Sequence, residues 1–140
     1  MARILSIDYG KKRTGLAVSD PLQLIAGGLA TVVTSELFDY LQRYVAAEDV
    51  ERIVIGEPRQ TNGMPSENME RVCQFVNRWR RAMPQIPIEY YDERFTSVLA
   101  HQAMLQVGLK KKARQDKALV DEISATILLE DYMRSVKKNR

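Results

Sequence analysis

Residues 3–19 read RILSIDYGKKRTGLAVS, and this stretch decides the fold. Arg3–Asp8 (RILSID) is an apolar run that ends in a carboxylate, which is a strand running into a turn at Gly10. Thr14–Ser19 (TGLAVS) is a second β-rich run, and the intervening YGKKR is short enough for a hairpin loop. Asp8 ends an apolar strand, where part of its charge is desolvated and the nearby sequence offers no obvious partner. A purely structural role accounts poorly for such a residue.

Outward from the hairpin, Gly28–Thr34 (GLATVVT) is a third run rich in β-branched residues. The period then changes. Ser35 is the expected N-cap of a helix whose Leu37, Phe38, Leu41, Tyr44 and Val45 recur at helical spacing. Arg52–Ile55 (RIVI) is a short buried strand stopped by Gly56 and Pro58. Two prolines and the Asn62-Gly63 pair make residues 57–65 an irregular, exposed loop. A second helix is expected from Ser66, with Met69, Val72, Cys73, Val76, Trp79 and Met83 as its buried stripe. Pro84 and Pro87 end it and open the strand Ile88–Tyr91, which runs into Asp92 and Glu93. Thr96 caps a third helix that stops at Gly108, and a last helix covers about Leu119 to Arg134.

The order is three strands, helix, strand, helix, strand, helix, helix. It implies an α/β chain with a five-stranded mixed sheet and helices packed on its faces. No repeat or linker breaks residues 1–140, so one domain is expected. Ligands of such sheets collect beyond the carboxyl ends of the parallel strands. Asp8, Glu57 and the Asp92–Glu93 pair all stand at strand ends of that kind.

Composition removes several alternatives. One cysteine excludes an internal disulfide framework, and one histidine, His101, excludes a multi-histidine metal site. Cys73 sits in an apolar helical stripe and reads as a small buried hydrophobe. No signal segment or membrane-length apolar run is present, so a cytoplasmic protein with no membrane partner is expected. A net charge of +3 is too small to argue for nucleic acid by itself, and only its distribution can.

Magnesium takes oxygen ligands, typically one or two carboxylates with water and substrate phosphates. Two such ions can activate a water and stabilise the leaving oxygen of a phosphodiester. Asp8 on the first strand, Glu93 after the last strand and Asp121 near the start of the last helix are the carboxylates placed to converge. Asp121 begins a helical face that continues through Ala125, Leu128 and Tyr132, and small Ser124 and Ala125 allow a close approach to the sheet. Its competing role is to complement the helix dipole. Lys110, Lys111, Lys112, Arg114 and Lys117 precede Asp121, Lys11, Lys12 and Arg13 follow Asp8, and Arg94 follows Glu93. Cations beside each carboxylate offset their repulsion and can bind substrate phosphates. Arg71, Arg78, Arg80 and Arg81 read as ordinary surface.

Taken together, Ile7-Asp8-Tyr9-Gly10-x-x-Arg13-x-Gly15-x-Ala17, Ile55-Gly56-x-Pro58 with Asn62-Gly63, Asp92-Glu93-Arg94-Phe95-Thr96, and Asp121 ahead of Ser124-Ala125 resemble the YqgF/RuvX family. That family is associated with Holliday junction resolution and with pre-16S rRNA maturation. The resemblance spans nearly the whole chain. It implies a ribonuclease H-like fold, Mg2+ (or Mn2+) as cofactor, a nuclease acting on nucleic acid, and Asp8, Glu93 and Asp121 as the acidic triad. Its substrate would be precursor rRNA or branched DNA, and the protein a monomer or a homodimer.

Two positions depart from the pattern. Glu57 stands where the family usually has leucine, and Ser124 where it has alanine. Because the fourth strand neighbours the first in ribonuclease H-like sheets, Glu57 is the reserve metal ligand. Two other classes compete. One is a non-catalytic nucleic-acid-binding module. The other is an actin-like ATPase, whose phosphate loop Asp8-x-Gly10 resembles, although that fold needs two large lobes.

Overall fold

Strands β1 (Arg3–Asp8), β2 (Arg13–Ser19), β3 (Ala26–Val33), β4 (Val50–Glu57) and β5 (Ile88–Asp92) form a single mixed sheet in the order β3-β2-β1-β4-β5. The computed structural model describes residues 2–58, 68–92 and 117–138. β2 and β3 are antiparallel neighbours on one side of β1, and β4 and β5 run parallel on the other. β1 and β4 are the inner parallel pair, covered on both faces, which is why RILSID and RIVI are nearly continuous apolar runs.

A short 3₁₀ turn (Thr34–Glu36) leads into helix α1 (Leu37–Ala47), α2 spans Met69–Ala82, and α3 spans Lys117–Lys138. α1 and α2 cover one face. There Leu5, Ile7, Ile53 and Ile55 pack with Leu37, Leu41, Val72, Val76 and Trp79. Trp79 is fully buried and donates its indole N–H to the Ile86 carbonyl at 3.2 Å. Burying one such side chain contributes roughly 1.5–3 kcal/mol. α3 covers the other face, where Ile4, Ala17 and Val54 meet Ala125, Leu129, Tyr132 and Met133.

Several elements differ from the sequence expectation. β4 extends to Glu57, because Gly56 and Glu57 still pair with Tyr91 and Asp92 of β5. Ser35 is not an N-cap, since the chain enters α1 through the 3₁₀ turn and neither makes a side-chain capping bond. The buried stripe of α2 includes Phe75, while Cys73 is half-buried against the Tyr90 hydroxyl. α3 is longer than expected at both ends. The loop with Asn62-Gly63, the helix start at Ser66 and the helix from Thr96 to Gly108 lie outside the described residues.

Candidate active site

The site grows from one close approach. Asp8 pairs directly with Gly15 across the β1–β2 hairpin, so both project to the same face of the sheet. A Cβ built on Gly15 would stand 2.0 Å from the Asp121 carbonyl oxygen and 2.9 Å from Asp121 Cβ. Only a glycine lets α3 lie this close to β2. Asp121 is therefore set on the face, and at the end of the sheet, that Asp8 occupies.

Two further contacts hold it there. Arg13 Nε donates to Asp121 Oδ2 at 3.1 Å, a part-buried ion pair between residues 108 positions apart. One turn along the helix, the buried Ser6 hydroxyl donates to the Ala125 carbonyl at 2.7 Å. Ser6 is the polar residue inside the apolar run of β1, and this bond explains it. Asp121 is the fifth residue of α3, past the first turn where the helix dipole is felt, so the dipole does not account for it.

The far half of α3 is fixed by a polar network. Arg52 donates to the Tyr132 hydroxyl at 3.0 Å, and that hydroxyl donates to the Glu89 carboxylate. Tyr91 donates to Asp131. Burial first, and then the Asp131 carboxylate, push the Tyr91 hydroxyl up to about 12, so it stays a neutral donor at physiological pH.

The loop after Asp8 is pinned from the opposite face. The Thr34 hydroxyl donates to the Gly10 carbonyl at 2.7 Å, and the Thr34 amide donates to the Lys12 carbonyl at 2.9 Å. Asn68 Nδ2 donates to the Tyr9 carbonyl at 2.8 Å. Lys11 and Lys12 are exposed on this hairpin, beside the end of β1.

The remaining strand-end carboxylates sort by face. Ile55 pairs with Ile7 and points with it into the α1–α2 core, so Glu57, two residues on, shares that face. Asp92 pairs with Glu57 and shares it too. Asp8 and Asp121 lie on the α3 face. Among the described residues, no group of three His, Cys, Asp or Glu side chains is placed to hold a metal. Glu93, Arg94, Lys110, Lys111, Lys112 and Arg114 lie outside the described residues. The described chain sets two carboxylates, Asp8 and Asp121, on one face at one end of the sheet, with the Arg13 guanidinium on Asp121, and carboxylates are the hard oxygen donors that magnesium takes.

Sequence reasoning missed the way Gly15 acts. The signal was present as a small residue opposite the strand-end aspartate, but nothing local says that a helix more than 100 residues later fills the space.

Comparison with known proteins agrees with this architecture. A protein of Phocaeicola vulgatus named "Putative pre-16S rRNA nuclease" is 63% identical over 137 residues, covering 98% of this chain and 99% of that protein. One of the same name from Flavobacterium johnsoniae is 54% identical over 135 residues, covering 96% and 98%. Among solved structures, Fowlpox virus resolvase with Holliday junction DNA superposes with a TM-score of 0.60 at 14% identity, covering 96% of this chain and 98% of that one. T. thermophilus RuvC with a Holliday junction substrate gives 0.54 at 18% identity, covering 96% of both. At such identities these two establish the fold, which is ribonuclease H-like, in agreement with the strand order β3-β2-β1-β4-β5. The model of the RuvX family, described as a Holliday junction resolvase, matches residues 2–135, and this chain belongs to that family.

Proposed function

We propose that this protein is a divalent-metal-dependent nuclease that hydrolyses phosphodiester bonds at the carboxyl end of β1, and that it matures the 5′ end of pre-16S rRNA. The observation that carries the reading is the seating of Asp121 on Gly15, directly across from Asp8. Family membership and the names of relatives above 50% identity support the reaction class and the rRNA substrate.

Asp8, Asp121 and Glu93 would hold magnesium, or manganese with the same preference for oxygen. When bound, the ion activates water and neutralises charge on the phosphoryl oxygens. Glu93 is taken over Glu57 as the third ligand because it belongs to the Asp92-Glu93-Arg94 motif of the family resemblance, while Glu57 sits on the face opposite Asp8 and Asp121. Arg13 orients the Asp121 carboxylate and offsets its charge beside Asp8. Lys11, Lys12, Arg94, Lys110, Lys111, Lys112 and Arg114 bind backbone phosphates and place the scissile bond. Among the described residues no helix is long and apolar enough to cross a membrane, and a cytoplasmic site of action fits rRNA processing.

A second reading, resolution of four-way DNA junctions, is favoured by the description attached to the family model. It needs a homodimer with two sites, because a junction requires paired cuts. End processing needs only a monomer.

The deciding experiment compares a 5′-labelled pre-16S leader RNA with a four-way DNA junction, each with magnesium or with EDTA, using the parent chain and Asp8→Asn. RNA cleavage that needs magnesium is expected from the parent. Asp8→Asn should lose at least ~100-fold, since changes to residues that merely support a metal ligand already cost about 10–100-fold. Full activity in purified Asp8→Asn refutes the site, and paired nicks in the junction with intact RNA select the second reading.

A further inference from the structure

On the α1–α2 side of the same sheet end lies a cleft of about 410 Å³, within the range of roughly 300–1,000 Å³ that ligand sites occupy. Its cations are Lys11 from the hairpin and Arg71 and Arg78 from α2. Its floor is aromatic: Tyr9, Phe38 and Phe75. Arg71, Phe75 and Arg78 recur at helical spacing, so one stripe of α2 supplies both charge and floor. The described lining contains no carboxylate, and no described carboxylate forms an ion pair with Arg71 or Arg78.

The Arg78 cation is held in place. The Arg78 guanidinium lies 3.8 Å from the Phe38 ring centroid, which leaves its N–H edge for a ligand. The Tyr9 and Phe75 rings meet at 5.7 Å. Arg71 is close enough to Tyr9 to oppose the rise that burial imposes on its hydroxyl. Tyr9 is also the residue after Asp8, so the cleft and the candidate active site are back to back around the end of β1.

We propose that this cleft is a second nucleic-acid subsite, in which Arg71, Arg78 and Lys11 clasp a phosphodiester of the single strand flanking the scissile bond and a neighbouring base lies on the Tyr9–Phe75 rings. The inference rests on the nuclease reading above and assigns a role to two arginines of α2 that the sequence presents as plain surface. Cations that follow a backbone, interleaved with aromatic faces, are the usual means of holding a single strand without reading its sequence. Guanidinium groups suit phosphate because their paired donors match its oxygens.

The test is binding of a fluorescent single-stranded oligonucleotide, as RNA and as DNA, in EDTA so that no cleavage occurs. The parent is compared with Arg71→Gln/Arg78→Gln and with the charge-matched Arg43→Gln/Arg81→Gln. Loss of two charge-assisted contacts should weaken binding by about tenfold or more. The slope of log affinity against log salt should fall by about 0.7, the value for one phosphate contact on a single strand. The charge-matched control should stay within about twofold of the parent. RNA and DNA should respond alike, since the contacts are to phosphate and base faces.

Equal weakening by both double variants, or by neither, overturns the proposal. A readout that needs no variant is photocrosslinking of a thiouridine-containing RNA to the parent chain. Adducts on Tyr9 or on Met69–Ala82 support the cleft, and their absence at both with adducts elsewhere overturns it. If the parent binds through the cleft yet cleaves nothing, the nuclease reading fails while the subsite stands. If cleavage is intact and Arg71→Gln/Arg78→Gln keeps the parental KM and salt slope, the subsite fails alone.

Discussion

Gly15→Ala is the sharpest single test of how this site is assembled. The added methyl would sit 2.0 Å from the Asp121 carbonyl oxygen, whereas ordinary contact begins near 3.4 Å. More than an ångström must be found, and the obstacle is helix backbone rather than the end of a flexible side chain. α3 must lift from β2, stretching the Arg13–Asp121 ion pair and the Ser6–Ala125 bond with it. Overpacking of this kind costs about 1–3 kcal/mol, occasionally more, and this clash belongs at the upper end. For a chain of this size the melting temperature should drop by roughly 10 °C. Activity should fall further than stability explains, because a displacement of about 1 Å in a reacting group can cost ~100-fold.

Gly28→Ala is the built-in control. It faces the same helix one strand further out, but its Cβ would meet Glu122 Cβ at 3.6 Å, an ordinary contact. The assay is thermal melting followed by cleavage well below both melting temperatures. Gly28→Ala should melt and cleave like the parent. A Gly15→Ala protein with parental stability and activity would refute the claim that glycine is what brings Asp121 to Asp8.

Other expectations follow from the sequence motifs and from the turn at Asp20. Glu93→Gln should lose most activity and Glu57→Gln little, with raised magnesium recovering part of the Glu93→Gln defect if weakened metal binding is its cause; the reverse pattern would move the ligand to β4. Neutralising Lys110, Lys111 and Lys112 together should weaken nucleic-acid binding broadly and flatten its salt dependence, and a parental slope would reduce that run to solvated surface. Asp20 accepts amide bonds from Ile25, Leu24 and Leu22, and these, led by Ile25, hold its carboxyl below 3.8. Its depressed value means its contribution is present above that range and is lost as pH falls through it. Asp20→Asn should therefore show a smaller drop in melting temperature on acidification below about pH 4 than the parent, and an identical drop would show the turn is not coupled to folding.

Much of this protein is legible in local sequence. The apolar runs RILSID and TGLAVS fall within one residue of the observed β1 and β2, because strand burial writes itself into consecutive residues. Leu37, Phe38, Leu41, Tyr44 and Val45 of α1 all pack on the core as their spacing required. Asp8 ends β1, where the apolar run before it places it. Strand alternation fixes which residues of β4 share a face with one another, but Glu57 joins Ile53 and Ile55 only because pairing with β5 carries the strand beyond its expected end at Ile55.

Only the tertiary structure decides which of those faces is the face of Asp8. That depends on the register Ile7↔Ile55, an alignment of two strands that neither segment encodes by itself. The same holds for the seating of Asp121 on Gly15, at the sheet end where Asp8 lies. It is set by contacts 108 and 119 residues apart in the chain, Arg13 to Asp121 and Ser6 to Ala125, and by the absence of a side chain at Gly15. The basic cleft on the reverse side arises likewise, since Lys11 and Arg71 become neighbours only when α2 packs across the end of β1. Periodicity reports what a segment buries, because burial is imposed residue by residue along it. It carries no record of which distant backbone comes to lie on top, because that is fixed by the packing of whole elements against one another.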